Sequence, residues 1–209
     1  MIRARVPASG WVAALGSIAG ALGCHGATPA EAPIANRGAA SAGDEIRAID
    51  WRNHTYHLDE LGAVTVKNGE ADLPLTDDNK LAGSGAPALT GGYHVEPPLF
   101  ADIDGDGHED AIISGVLSMG GTGHFSEVAI YAIRGGKPVQ IGAIPGGDRG
   151  DGGISHVALD GSAILIDRNV LGEGDGLCCP SGSQRERWIW KHGEMVEDTT
   201  ARQVRAAKP

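Results

Sequence analysis

Asp102-Ile103-Asp104-Gly105-Asp106-Gly107-His108-Glu109-Asp110 decides how this chain folds, through what it can hold and what flanks it. Aligned to a calcium-binding loop, Asp102, Asp104 and Asp106 fall at positions 1, 3 and 5. The backbone carbonyl of His108 then falls at position 7 and Asp110 at position 9. Gly107 stands at position 6, where the chain turns sharply and a Cβ would be costly. Hard oxygen ligands converging from one short loop suit Ca²⁺ better than Mg²⁺, which demands a tighter octahedron. An EF-hand would also need a bidentate Glu at position 12, and that residue is Ile113. Its flanks would be helical, whereas here Pro97-Pro98-Leu99-Phe100 precedes the loop and Ala111-Ile112-Ile113-Ser114-Gly115-Val116 follows it. Those are strand signals. The stretch therefore predicts a calcium-type loop joining two β-strands. The competing expectation is an acidic Gly/Asp turn that needs no ion.

Downstream, the same strand-and-turn pattern repeats. Asp110 to Met119 reads as a strand, Gly120-Gly121-Thr122-Gly123 as a turn, and Phe125 to Arg134 as a long strand turned by Gly135-Gly136. Pro138–Ile144 returns, and Gly146–Gly153 reads as a loop. Ser155–Leu159 and Ser162–Asp167 flank an Asp160-Gly161 turn, and Gln184–Trp190 with Glu194–Glu197 flank His192-Gly193. Upstream, Asn53–Leu58 and Gly62–Lys67 carry β-formers, with a hairpin signal at Asn68-Gly69. Leu73 to Gly92 is polar and Gly-rich and reads as a long loop. His54 and His57 lie three apart, so on a strand they face opposite sides and do not chelate one ion. The expected fold is mainly β: an antiparallel meander of hairpins in a single compact domain.

Composition agrees with that class. The 209 residues include 33 Gly and only 4% aromatics, a turn-rich chain with a sparse aromatic core. With 17 basic against 27 acidic side chains the net charge is -10, and no stretch is rich in Lys or Arg. Nucleic acid and anionic membrane surfaces are therefore poor partners.

The first residues read as a targeting segment. Arg3 and Arg5 precede an apolar run from Trp11 to Leu22 that is too short to span a bilayer, ending Ala21-Leu22-Gly23-Cys24. Small residues before a single Cys resemble a bacterial lipoprotein signal, with Cys24 the lipidated residue; ordinary secretory cleavage nearby is the alternative. The expected organisation is a signal peptide over 1–23, lipidated Cys24 and a flexible Ala/Gly/Pro tether over 24–43, a single β-rich domain over 44–200, and a flexible tail over 201–209. The expected location is the cell envelope, lipid-anchored at the outer membrane or periplasmic face, or else secretion.

Lipidation of Cys24 leaves Cys178 and Cys179. Adjacent Cα atoms lie about 3.8 Å apart, below the roughly 4.4–6.8 Å of ordinary disulfides, so a bridge between them would be strained. The expectation is a loop clasp at Pro180, as a vicinal disulfide or as two buried thiols. A redox role is the rival, without a Cys-x-x-Cys or a thioredoxin-like pattern to support it.

Tyr93 with Ala101–Ala111, Gly120-Gly121-Thr122-Gly123-His124-Phe125, and Cys178-Cys179-Pro180-Ser181-Gly182 followed by Arg187-Trp188-Ile189-Trp190 together resemble the LppP/LprE-type bacterial lipoproteins. Asn53-His54-Thr55-Tyr56 and Val66-Lys67-Asn68-Gly69 fit the same pattern, which spans about residues 50–197. The acidic loop alone is also similar to the calcium loops of integrin-like FG-GAP repeats, which build propellers from several copies; here there is one. What the resemblance implies is an envelope location and a fold, with no established reaction.

Two function classes follow. The first is a membrane-tethered, non-enzymatic domain stabilised by Ca²⁺ that binds an envelope ligand or protein. The second is an enzyme, either an envelope hydrolase using the acidic cluster or a thiol-redox lipoprotein using Cys178 and Cys179. Gly-x-Ser-x-Gly and His-Glu-x-x-His are both missing from the sequence, and four Asp at ligand spacing fit one ion better than an acid/base pair.

Overall fold

A computed structural model describes residues 42–205, apart from 60, 79, 84, 86–88, 121–122, 151 and 177. The leader, Cys24 and most of the tether lie outside the described residues. In chain order come helix α1 (Ala42–Arg47), a 3-10 turn (Trp51–Asn53), and strands β1 (Thr55–Leu58), β2 (Gly62–Thr65), β3 (Glu70–Leu75), β4 (Leu89–Val95) and β5 (Leu99–Ala101). Beyond the acidic loop follow β6 (Asp110–Ser118), β7 (His124–Arg134), β8 (Lys137–Asp148), β9 (Ile154–Asp160), β10 (Ala163–Val170), β11 (Gly182–Lys191) and β12 (Glu194–Glu197). A second 3-10 turn (Thr199–Ala201) leads to β13 (Gln203–Arg205). The protein is mainly β, built from antiparallel sheets of hairpins.

The flanks of the acidic loop pair with each other. Leu99 lies opposite Ile112 and Ala101 opposite Asp110, so the loop closes a β5–β6 hairpin. Strands β3, β4, β6, β7 and β8 form one sheet in that order, with β5 sharing an edge of β6 with β4. Strands β12, β11, β10 and β9 form a second, with β13 beside β12 on β11. β1 and β2 form a separate ribbon.

The first sheet is covered on both faces. Ala111, Ile113, Ala129 and Tyr131 join a core with Trp51, Tyr56 and Val64 of the N-terminal elements. The alternating Ile112, Val128 and Ile130 join a second core with Ile164 and Ile166 of β10. Two-sided burial explains the near-continuous apolar runs in β6 and β7, where a one-sided sheet would alternate apolar with polar. The turn residues match their conformations: Gly135 and Gly136 take φ of 60° and 74° and His192 and Gly193 53° and 87°, each pair closing a hairpin. Asn68 and Gly69, at 54° and 87°, turn the chain through a Lys67–Glu70 bridge from β2 to β3, which belong to different sheets rather than to the expected hairpin. Two consecutive positive φ values are what a type I′ turn requires.

Three stretches differ from the sequence expectation. Leu73–Gly92, expected to be a loop, includes the ends of β3 and β4, with Leu73 opposite Gly91 and Pro74 opposite Thr90. Pro74 is tolerated because β3 is an edge strand. Gly91 is needed because a Cβ there would lie 2.6 Å from both Leu75 and the Ser118 carbonyl. Strand β8 continues through Gly146-Gly147-Asp148, where a loop was expected, with Asp148 opposite Phe125 of β7; position 146 is glycine because a Cβ there would overlap Ser126. Gln203–Arg205, within the expected tail, pairs with Ser183–Arg185.

Candidate metal centre

Gly105 and Gly107 take φ of 77° and 86°, so the loop doubles back and aims its N–H groups at its own carboxylates. Asp102 accepts from Gly105 N at 2.8 Å and Gly107 N at 3.0 Å. Asp104 accepts from Asp106 N at 3.1 Å, and Asp106 from His108 N at 2.9 Å. One oxygen from each of Asp102, Asp104 and Asp106 lies within 4.8 Å of the others. A Ca–O bond of about 2.3–2.6 Å lets oxygens up to about 5 Å apart share one ion, so these three residues fit calcium's donor set and spacing.

Asp110 sits behind that trio, only 1% exposed. Its Oδ2 accepts from Ile103 N at 2.9 Å and Asp104 N at 3.3 Å, tying the first half of the loop to the base of the hairpin. Burial pushes its carboxyl up to about 6, against those two hydrogen bonds and with the Asp104 and Asp106 charges adding to the rise. His108 exposes its side chain. The structure therefore brings Asp102, Asp104 and Asp106 together, while Asp110 braces the loop from within.

Glu109 turns the other way. Arg47 of α1 donates Nε and Nη2 to its carboxylate, the latter at 2.8 Å, and Arg47 also lies 4.4 Å over the Phe100 ring. This pair fixes the outer side of the loop against the helix.

Arg134, which sequence spacing did not single out, faces the cluster. Its Nη1 donates to Asp106 Oδ2 at 2.8 Å and its Nη2 to Asp104 Oδ2. The β6–β7 register accounts for the approach: Ala111, just after the loop, pairs with Tyr131, and Arg134 lies three residues further along β7 toward the loop. Mutual repulsion of the Asp side chains is thus partly offset from within the chain.

Cys178 and Cys179 are both free and exposed, so the clasp is not two buried thiols. The hydrogen bond with Cys178 is the largest cause holding the Cys179 thiol above its ordinary pKa, the opposite of an activated thiolate. Their loop is ordered by Asp175, whose Oδ2 accepts from Gly172 N at 2.6 Å, Ser181 N at 2.7 Å and Ser181 Oγ at 2.7 Å. His54 packs against Trp51 and Tyr56, and His57 is exposed. Comparison with protein families, curated proteins and solved structures gives no match.

Proposed function

We propose that this chain is a lipid-anchored, non-catalytic binding domain of the bacterial envelope whose acidic hairpin is held by Ca²⁺. The observation that carries the metal reading is the convergence of Asp102, Asp104 and Asp106 within 4.8 Å across a hairpin end. Those carboxylates hold the ion, with the His108 carbonyl adding a further oxygen, while Asp110 supports the loop from behind through Ile103 N and Asp104 N. The ion neutralises the cluster and ties β5 to β6 at their open end.

Calcium is expected to raise the melting temperature. Extracellular calcium modules bind at roughly 10⁻⁴–10⁻³ M, and position 12 here is Ile113. At a Kd of about 10⁻⁴ M and ~1 mM calcium, linkage adds about 1.4 kcal/mol. For a domain of this size that is a rise of about 3–6 °C, reversed by chelation. Asp104→Ala and Asp106→Ala should lose the response, Glu109→Ala should keep it, and Mg²⁺ should do much less. A melting curve unchanged by calcium would leave an acidic turn.

Arg134 favours that second reading, in which the guanidinium is the loop's permanent counter-cation. The two differ in Arg134→Gln. If calcium binds, the variant loses stability in chelator and regains it with added calcium; if the loop is self-neutralised, the loss is the same in both.

Anchoring rests on Cys24 and the apolar run before it. The full-length protein should partition into detergent with lipid on Cys24, and Cys24→Ser should be released as soluble protein. Unmodified mature protein beginning at Cys24 in the soluble fraction would replace anchoring with secretion.

A further inference from the structure

On the face of the first sheet covered by the N-terminal elements, a groove of about 490 Å³ opens between the β1–β2 turn and the ends of β6 and β7. Its walls are mainly apolar, with Leu58, Leu61, Met119 and Phe125 among them, and it also holds Asp59 and Glu127. No described lining residue is basic. Phe125 is 46% exposed, an unusual setting for a large aromatic ring.

Glu127 is built into this place. Tyr93 donates its hydroxyl to Glu127 Oε1 at 3.0 Å, reaching across β6 from β4. It can do so because Gly115, paired with both Val95 and Glu127, leaves the ring its path; a Cβ there would overlap the Tyr93 hydroxyl. Burial holds the Glu127 carboxyl above its ordinary pKa, and the Asp59 charge adds to that rise. Two acidic residues, Asp59 and Glu127, thus line one apolar groove. A carboxylate there is costly unless an opposite charge meets it.

We propose that this groove binds a small organic ammonium ion, its apolar body against Leu58, Leu61, Met119 and Phe125 and its charged nitrogen between Asp59 and Glu127. Apolar walls select the body and the paired acids select the charge. An anionic ligand is rejected by the same acids. This deepens the binding-domain reading by naming a ligand class, and it shares no residue with the acidic loop.

The test titrates n-hexylammonium chloride, n-hexanol and hexanoate into the protein while amide and methyl NMR signals of Leu58, Leu61 and Met119 are followed. Hexylammonium should shift them saturably, with a Kd at least about tenfold below that of hexanol, and hexanoate should not bind. Asp59→Asn, at an exposed turn, and Glu127→Gln, which keeps an acceptor for Tyr93, should each remove most of that preference. Equal binding of hexanol and hexylammonium, binding of hexanoate, or shifts spread over acidic surface residues away from the groove would overturn the proposal. The titration is run in both chelator and calcium. The preference should persist in both, so a failed calcium response and a failed ammonium preference are read separately.

Discussion

Replacing Glu186 by Gln is expected to destabilise the domain by about 3–5 kcal/mol, the cost of breaking a buried ion pair from one side. Glu186 is 4% exposed and sits on β11 opposite Ile166. Its carboxylate accepts from Arg168 Nε at 2.8 Å, Trp188 Nε1 at 2.9 Å and Gln184 Nε2 at 2.7 Å. Arg168 spends its other donors on the Gly152 carbonyl at 3.0 Å and the Pro145 carbonyl at 2.8 Å, tying the two sheets together. Gln in place of Glu leaves the guanidinium buried without its charge partner. The fall in melting temperature should be roughly 10 °C, measured by calorimetry. Arg168→Met combined with Glu186→Gln should lose clearly less than the sum of the two single changes, because the double variant removes the stranded charge.

The same pair gives stability a pH dependence of fixed sign. Burial alone would raise the Glu186 pKa, but the hydrogen bonds from Arg168 and Trp188 and the Arg168 charge outweigh it and hold the pKa below its ordinary value of 4.5. A carboxylate depressed on folding contributes fully above its unfolded pKa. That contribution fades as pH falls through the lower folded value, and the Gln variant should lack this component of the acid transition.

Trp51→Ala should cost a similar amount, about 3–5 kcal/mol, by opening a cavity under the N-terminal cover. Trp51 is 2% exposed. Its ring lies 5.1 Å from Tyr131 and 5.0 Å from His54, and its indole N–H donates to the Ile46 carbonyl at 3.1 Å. It therefore joins α1, the β1–β2 ribbon and the first sheet in one contact. Losses of this size are a large part of the roughly 5–15 kcal/mol available to a domain. Trp51→Phe should keep most of the packing and lose about 1–3 kcal/mol for the stranded carbonyl. Chemical denaturation of the two variants separates these contributions.

Three turns were legible in sequence because a pair of residues there had to take positive φ. Asn68-Gly69, Gly135-Gly136 and His192-Gly193 are local chemistry, and the structure turns at each. So is the acidic loop, which its strand flanks and Ile113 at position 12 set apart from an EF-hand. Gly91 and Gly146 misled for the opposite reason. Each is small so that a neighbouring strand can approach, and nothing within a few residues of either reports that neighbour. Arg134 at the loop, the Arg168–Glu186 pair, and Asp59 with Glu127 were hidden in the same way. Each is assembled by strand register or sheet packing from residues distant in the chain. Sequence could show that a carboxylate trio was possible, but not that a guanidinium from β7 would meet it.

That guanidinium is why the calcium reading is best tested by counting ions. Isothermal titration of calcium into metal-free protein, beside Asp102→Asn and Asp104→Asn, measures site number and affinity directly. The account predicts one ion per chain with a Kd of roughly 10⁻⁴–10⁻³ M, lost in both variants. No saturable heat from the unaltered protein, or the same isotherm from all three, would contradict it and leave Arg134 as the counter-charge that meets Asp104 and Asp106.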